Sequence, residues 1–374
     1  MVFWHNYFKE PDQIKTMKSF LLSIFGLAII LLLWGCPKPY RKLNHHARFP
    51  VQPANLTDVN SPYDDYNSIL PETHFGKQLI FSSNRLTDGG DFDLVGENFH
   101  VTWFMETGEL RVDNSYYWQK TDYVAMLLHQ VSWEGNEFGP YTIGFDTVID
   151  GVQKRINILM YSTNNNVNTY HEEFVVHESE DGGATGIIHG PYVMNNLTNP
   201  YYQQYISFYG PAVTNIDLWE MNPNLFTQMY FSKNEDGTSD IYRIKIPDSL
   251  NFMQFLTDSV EYTREIVPEL NSPSNDNCPF VNGNMMVFTS DRPGGYGGYD
   301  LYYSFFDGVE WSEPVNFGET INSGYDEFRP VVVQVPGFEN DVMIFSSDRP
   351  GGQGGFDLYY VGIDKIIPVT ITEQ

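Results

Sequence analysis

The residues best equipped for chemistry sit in a loop that the chain writes twice. S-D-R-P-G-G-Y-G-G-Y-D-L-Y-Y runs from Ser290 to Tyr303, and S-D-R-P-G-G-Q-G-G-F-D-L-Y-Y follows 57 residues later, from Ser347 to Tyr360. Glycines beside an Arg and two Asp residues suit three chemistries: phosphate cradling, hard-cation binding and acid–base work. A phosphate cradle presents backbone N–H groups at a helix N-terminus, usually with a Lys. Here there is no Lys, the loop joins two strands, and Pro293 removes a donor. Asp291, Asp300, Asp348 and Asp357 offer the hard oxygens that calcium takes, which is the alternative to a loop with no cofactor or metal. Catalytic groups are needed once per molecule, so a motif repeated per unit is structural first. On that reading Gly294 and Gly351 supply positive φ, the Asp residues cap loop N–H groups, and Arg292 and Arg349 reach loop carbonyls or a neighbouring carboxylate.

Other reactive residues give weaker signals. Cys278 occupies a slot that Arg329 and Asn67 hold in equivalent copies, so it reads as an inert thiol at the start of a strand. His45 and His46 stand side by side in a Pro-rich stretch without converging spacing. S-E-D-G-G-A-T-G (179–186) is similar to the Asp box of sialidase propellers but lacks its terminal Trp, and that box is a turn rather than a catalytic site. No G-x-S-x-G, H-E-x-x-H or Cys–His metal spacing is present. A carboxylate pair for glycoside hydrolysis is compatible with so acidic a chain. Trp118, Trp133, Trp219 and Trp311 suit either blade packing or sugar stacking.

The elements that must position these residues follow from self-similarity. Phe288-Thr-Ser-Asp291 and Phe345-Ser-Ser-Asp348 align with Phe231-Ser-Lys-Asn234, with Phe81-Ser-Ser-Asn84-Arg85 and, more faintly, with Tyr161-Ser-Thr-Asn164. A companion segment precedes three copies: V-N-S-P-Y-D-D-Y-N-S (59–68), L-N-S-P-S-N-D-N-C-P (270–279) and I-N-S-G-Y-D-E-F-R-P (321–330). Each unit reads as four short strands separated by Gly, Pro and Asn turns, in a chain that is 16% aromatic. The fold class expected is all-β: a β-propeller of four-stranded blades with five visible repeats, hence five or six blades, seven being less favoured. A-M-L-L-H-Q-V-S-W and Y-T-I-G-F-D-T-V-I, in the long steps between copies, are a sixth blade or decorations.

Ahead of the repeats, Lys15 and Lys18 precede an apolar run from Phe20 to Gly35 that ends in L-W-G-C at Cys36. This is the layout of a secretory signal, and it resembles the lipobox of bacterial lipoproteins, with Cys36 as the lipidated residue. The expected organisation is a signal peptide over 1–35, with Met17 a more typical start; a lipidated Cys and linker over 36–57; and the propeller over 58–374. The formal net charge of −27 argues against nucleic acid as a partner.

F-[ST]-S-D-R-P-G-G-x-G-G-[YF]-D-L-Y-Y, preceded by D-E-F-x-P, resembles the TolB-type, WD-like propeller repeat of Bacteroidetes envelope lipoproteins, most strongly over 270–364. The resemblance implies a non-enzymatic scaffold that binds envelope protein partners, held at the outer membrane by a lipid anchor. The absence of acidic residues after Cys36 favours the periplasmic side over the cell surface. The irregular stretch 96–225 is the expected contact surface. The alternative function is a glycan-binding or glycoside-cleaving propeller, which requires aromatics and a carboxylate pair at the central channel.

Overall fold

The computed structural model describes residues 46–73, 76–115, 123–131, 135–164, 170–180, 185–194, 197, 205–210, 223–235 and 237–365. Cys36, the signal peptide, Trp118, Trp133, Trp219 and most of the Asp-box turn lie outside these residues. By contacts the chain forms two units. Ala47–Phe104 with Gly108–Gln374 is the propeller; of Met1–His46 with Met105–Thr107, only His46 and Met105–Thr107 are described.

Five antiparallel sheets make five blades. Blade 1 comprises Asp65–Ile69, Gly76–Ser83, Asp93–Phe104 and Glu109–Asp113, with a short addition at Glu72–Thr73. Blade 2 comprises Glu137–Ile149, Val152–Thr163, His171–Ser179 and Ile187–Val193. Blade 3 comprises Ser207–Tyr209, Gln228–Glu235, Thr238–Lys245 and Glu265–Ile266. Blade 4 comprises Asp276–Asn282, Met285–Ser290, Asp300–Phe305 and Val315–Asn316. Blade 5 comprises Glu327–Val333, Asp341–Ser347 and Asp357–Ile363, and its outermost strand is Ala54–Asn55 from the other end of the chain. That last pairing, Ala54 opposite Tyr360 and Asn55 opposite Tyr359, closes the ring.

The two apolar runs left open by sequence are thereby placed. A-M-L-L-H-Q lies in the helix Tyr123–Gln130, which packs on blades 1 and 2, and Y-T-I-G-F-D-T-V-I belongs to the inner strand of blade 2. Residues 47–57, read from sequence as the end of a spacer, belong to the propeller: Phe49 is buried, stacks on Phe338 at 4.3 Å and donates its N–H to Asn340 Oδ1 at 2.9 Å.

Burial explains the strand pattern. Every residue of Asp341–Ser347 and of Met285–Ser290 is buried. These second strands lie mid-blade with a neighbouring blade over each face, so their sequences run nearly continuously apolar instead of alternating. Each buried Phe or Leu contributes about 1.5–3 kcal/mol; one core cluster draws on all five blades and a second lies between blades 3 and 4.

Candidate functional site

The doubled loop is part of a clasp. In blade 4 the buried carboxylate of Asp276, at the start of the inner strand, accepts from the Ser272 N–H at 2.5 Å and hydroxyl at 2.9 Å. Arg292, from the end of the second strand, donates to Asp276 and, at 2.6 Å, to the Leu270 carbonyl. Its guanidinium stacks over Phe288 and Tyr302. Blade 5 repeats this with Glu327, Ser323 and Arg349, and blade 1 with Asp65, Ser61 and Arg85. Asp300 accepts from the N–H groups of Tyr296 and Gly297, and Asp357 from those of Gln353 and Gly354. Asp291 accepts from the Asn275 N–H, and Asp348 from that of Asp326. Gly294 and Gly351 sit at φ 97° and 99°. No group of three potential metal ligands converges among the described residues.

Blade 2 breaks the pattern. Glu137 takes the inner-strand carboxyl slot, but the position matching Arg85, Arg292 and Arg349 is Asn165 in the sequence. Glu137 is 1% exposed; its Oε1 accepts from the Thr163 hydroxyl at 3.3 Å and its Oε2 has no partner. Burial, aided by the negative charge of Asp93, pushes its carboxyl up to about 8. Asp93 is itself raised, by burial and by Asp91.

The third strand of blade 2 departs as well. Its register pairs Ser162 with Glu172 and Tyr161 with Glu173. The slot of Glu172 holds Leu94, Ile241, Leu301 and Leu358 in the other blades; the slot of Glu173 holds Val95, Tyr242, Tyr302 and Tyr359. Both glutamates are buried. Glu172 accepts from the Ser162 hydroxyl at 2.5 Å. Glu173 accepts from the Tyr161 hydroxyl at 2.7 Å and meets His171 Nε2 at 2.9 Å, and that contact raises the His171 pKa. Three buried carboxyls in one blade, at slots that elsewhere hold an Arg-paired acid, an aliphatic and an aromatic or valine, go beyond what packing requires. The signal was present in sequence: the copies D-L-V, D-I-Y, D-L-Y and D-L-Y line up with H-E-E at 171–173.

The axis is built from one position per blade. Asn67, Gly139, Tyr205, Cys278 and Arg329 all have positive φ, at 59°, 58°, 25°, 54° and 51°. Four of them lie in inner-strand bulges, where the register slips between residues 66 and 69, 138 and 141, 277 and 280, and 328 and 331. The N–H groups of Asn67, Cys278 and Arg329 donate to Ser346, Ser232 and Thr289 hydroxyls of the preceding blade, which offsets the backbone strain. The side chains meet across the axis: Asn67 Nδ2 donates to the Tyr205 hydroxyl at 3.4 Å, and the Arg329 guanidinium lies 5.3 Å over the Tyr205 ring. A Cβ on Gly139 would come within 2.8 Å of that ring, so only glycine leaves it room. Cys278 is buried and free, as its slot predicts; desolvation raises its thiol pKa well above the ordinary value.

Above this plug, on the face where the inner strands begin, aromatic residues gather. Tyr66 packs edge-on to Phe92 at 5.0 Å and Phe138 at 5.8 Å; Phe328 packs edge-on to Tyr299 and Tyr205. Tyr66, Phe92, Tyr170, Tyr299, Phe328 and Phe356 are half-buried. Trp311 is not among them: it is buried between blades 3 and 4 and donates its Nε1–H to the Tyr230 hydroxyl at 3.1 Å.

No family model matches the chain, and no curated protein matches it. Among solved structures, a "Glycoside hydrolase" aligns over 90% of this chain and 99% of its own at 7% identity and a TM-score of 0.45. An α-L-arabinofuranosidase from Lactobacillus brevis covers 83% and 97% at 8% identity with TM-score 0.43. A GH43 β-xylosidase/α-arabinofuranosidase from a compost metagenome covers 86% and 98% at 8% identity with TM-score 0.42. These scores describe a loose likeness of shape and carry no argument about activity. The expectation of a non-enzymatic, protein-binding scaffold is nevertheless corrected. The stretch 96–225, expected to be a contact surface, contains blade 2, whose buried Glu137, Glu172 and Glu173 stand at slots where packing does not call for a carboxyl. The TolB-type lipoprotein assignment is not confirmed; the five-bladed propeller is, by its five antiparallel sheets.

Proposed function

We propose that the face around blade 2 binds and cleaves a glycoside, with Glu137 as the acid that protonates the leaving oxygen. The observation that carries this reading is the buried carboxyl of Glu137, whose Oε2 has no partner and which holds its proton up to about pH 8. Glycosidic bonds break when one carboxylic acid donates a proton while a second carboxylate acts as base or nucleophile, and environments that differ separate the two roles. Glu173, gathered by Tyr161 and His171, is our choice for the second carboxylate. Tyr66, Phe328 and Tyr299 supply apolar faces of the kind on which sugar rings stack.

The test is hydrolysis of a panel of nitrophenyl glycosides, pentosides first, together with binding to a glycan array. Glu137→Gln should lower kcat about 10²–10⁴-fold, the usual contribution of a general acid, and should flatten the alkaline limb of the pH profile. No turnover and no glycan binding by the wild-type protein would refute the proposal.

A further inference from the structure

One cation is sealed in the axis. Arg329 is fully buried, and of its donors only Nη2 has a partner, the Pro140 carbonyl at 3.3 Å; Nε and Nη1 have none. Guanidinium does not shed its proton in proteins. Among the described residues no carboxylate pairs with it. Glu172, a carboxylate whose charge it feels, accepts from the Ser162 hydroxyl. Its neighbours include the Tyr205 ring and the Tyr141 and Cys278 side chains, with Asn67 beyond Tyr205. Removing one member of a buried ion pair is strongly destabilising because the other charge is left uncompensated, and a lone buried guanidinium starts in that condition.

We infer that the channel binds a small monovalent inorganic anion of the chloride type against Arg329 Nε and Nη1, with the Tyr205 hydroxyl as a further donor. Tyr205 accepts from Asn67 and keeps its own proton to give. The charge fits: one guanidinium balances one anion. Asn67, Tyr205, Cys278 and Arg329 are all buried, which disfavours an organic acid or a doubly charged oxyanion. The chain's net charge of −27 opposes anions at its surface, but at contact distance in a low-dielectric site the single cation dominates. This site is independent of the glycosidase proposal, since Glu137 and Glu173 lie outside it.

Two measurements on the full chain test it. Crystals grown in bromide should show an anomalous peak within hydrogen-bonding distance of the Arg329 guanidinium. Unfolding midpoints should rise with chloride when gluconate holds ionic strength constant; above saturation, each tenfold increase should shift the folding equilibrium constant up to tenfold. In Arg329→Met that slope should vanish. Should the variant not fold, the bromide experiment on wild type decides alone. A channel density without anomalous signal, or equal chloride slopes in both proteins, would overturn the site.

Discussion

Glu137 makes the stability of this protein depend on pH in an unusual direction. Its carboxyl titrates near 4.5 when solvated and at about 8 in the fold. Below both values the folded and unfolded states each hold the proton and nothing is gained or lost. Between them the folded state keeps a proton that the unfolded state has released, so stability falls as pH rises, by about 1.4 kcal/mol per pH unit. Across the window from 4.5 to about 8 the loss approaches 4–5 kcal/mol. Glu137→Gln retains an amide oxygen to accept from Thr163 and cannot ionise. Urea denaturation of both proteins at pH 5, 6.5 and 8.5 isolates the group together with its coupling to Asp93, because the titrations that do not touch Glu137 are common to the two. The variant should nearly match wild type at pH 5 and exceed it by several kcal/mol at pH 8.5. Parallel stability curves, or a wild type that gains on the variant as pH rises, would refute both the buried protonated acid and the catalytic role built on it.

Two further outcomes follow from the packing and a third from the sequence. Gly139→Ala should cost about 1–3 kcal/mol through overpacking against Tyr205, whereas Gly294→Ala, with open space around its Cβ, should cost only the strain of a positive φ; thermal unfolding compares them. Arg292→Met should cost about 3–5 kcal/mol by stranding Asp276, and adding Asp276→Asn should restore part of it, read by urea midpoints. We propose that Cys36 carries the lipid anchor at the outer membrane: Cys36→Ser should abolish incorporation of labelled palmitate and release the protein from the membrane fraction, and unchanged labelling would exclude it.

Much of the clasp was legible because it repeats. A loop written twice as S-D-R-P-G-G announces the same local hydrogen bonds each time, and Arg292 and Arg349 make them. The site was legible only in part, for the opposite reason. Glu137, Glu172 and Glu173 stand where the repeat fails, and a faint copy draws less attention than a strong one. Their burial also has no local sequence signal, because H-E-E in a strand reads as a solvated edge until neighbouring blades cover it.

The sequence by itself determined the blade: strand spacing, the turn glycines and the buried second strands are short-range consequences of residue order. Ring closure decided the rest. Only when Ala54–Asn55 pairs with the last blade do five inner strands surround one axis, and only then do Asn67, Gly139, Tyr205, Cys278 and Arg329 meet. Their separation along the chain says nothing of that meeting, because Asn67–Tyr205 and Tyr205–Arg329 run across the ring between blades that are not sequence neighbours.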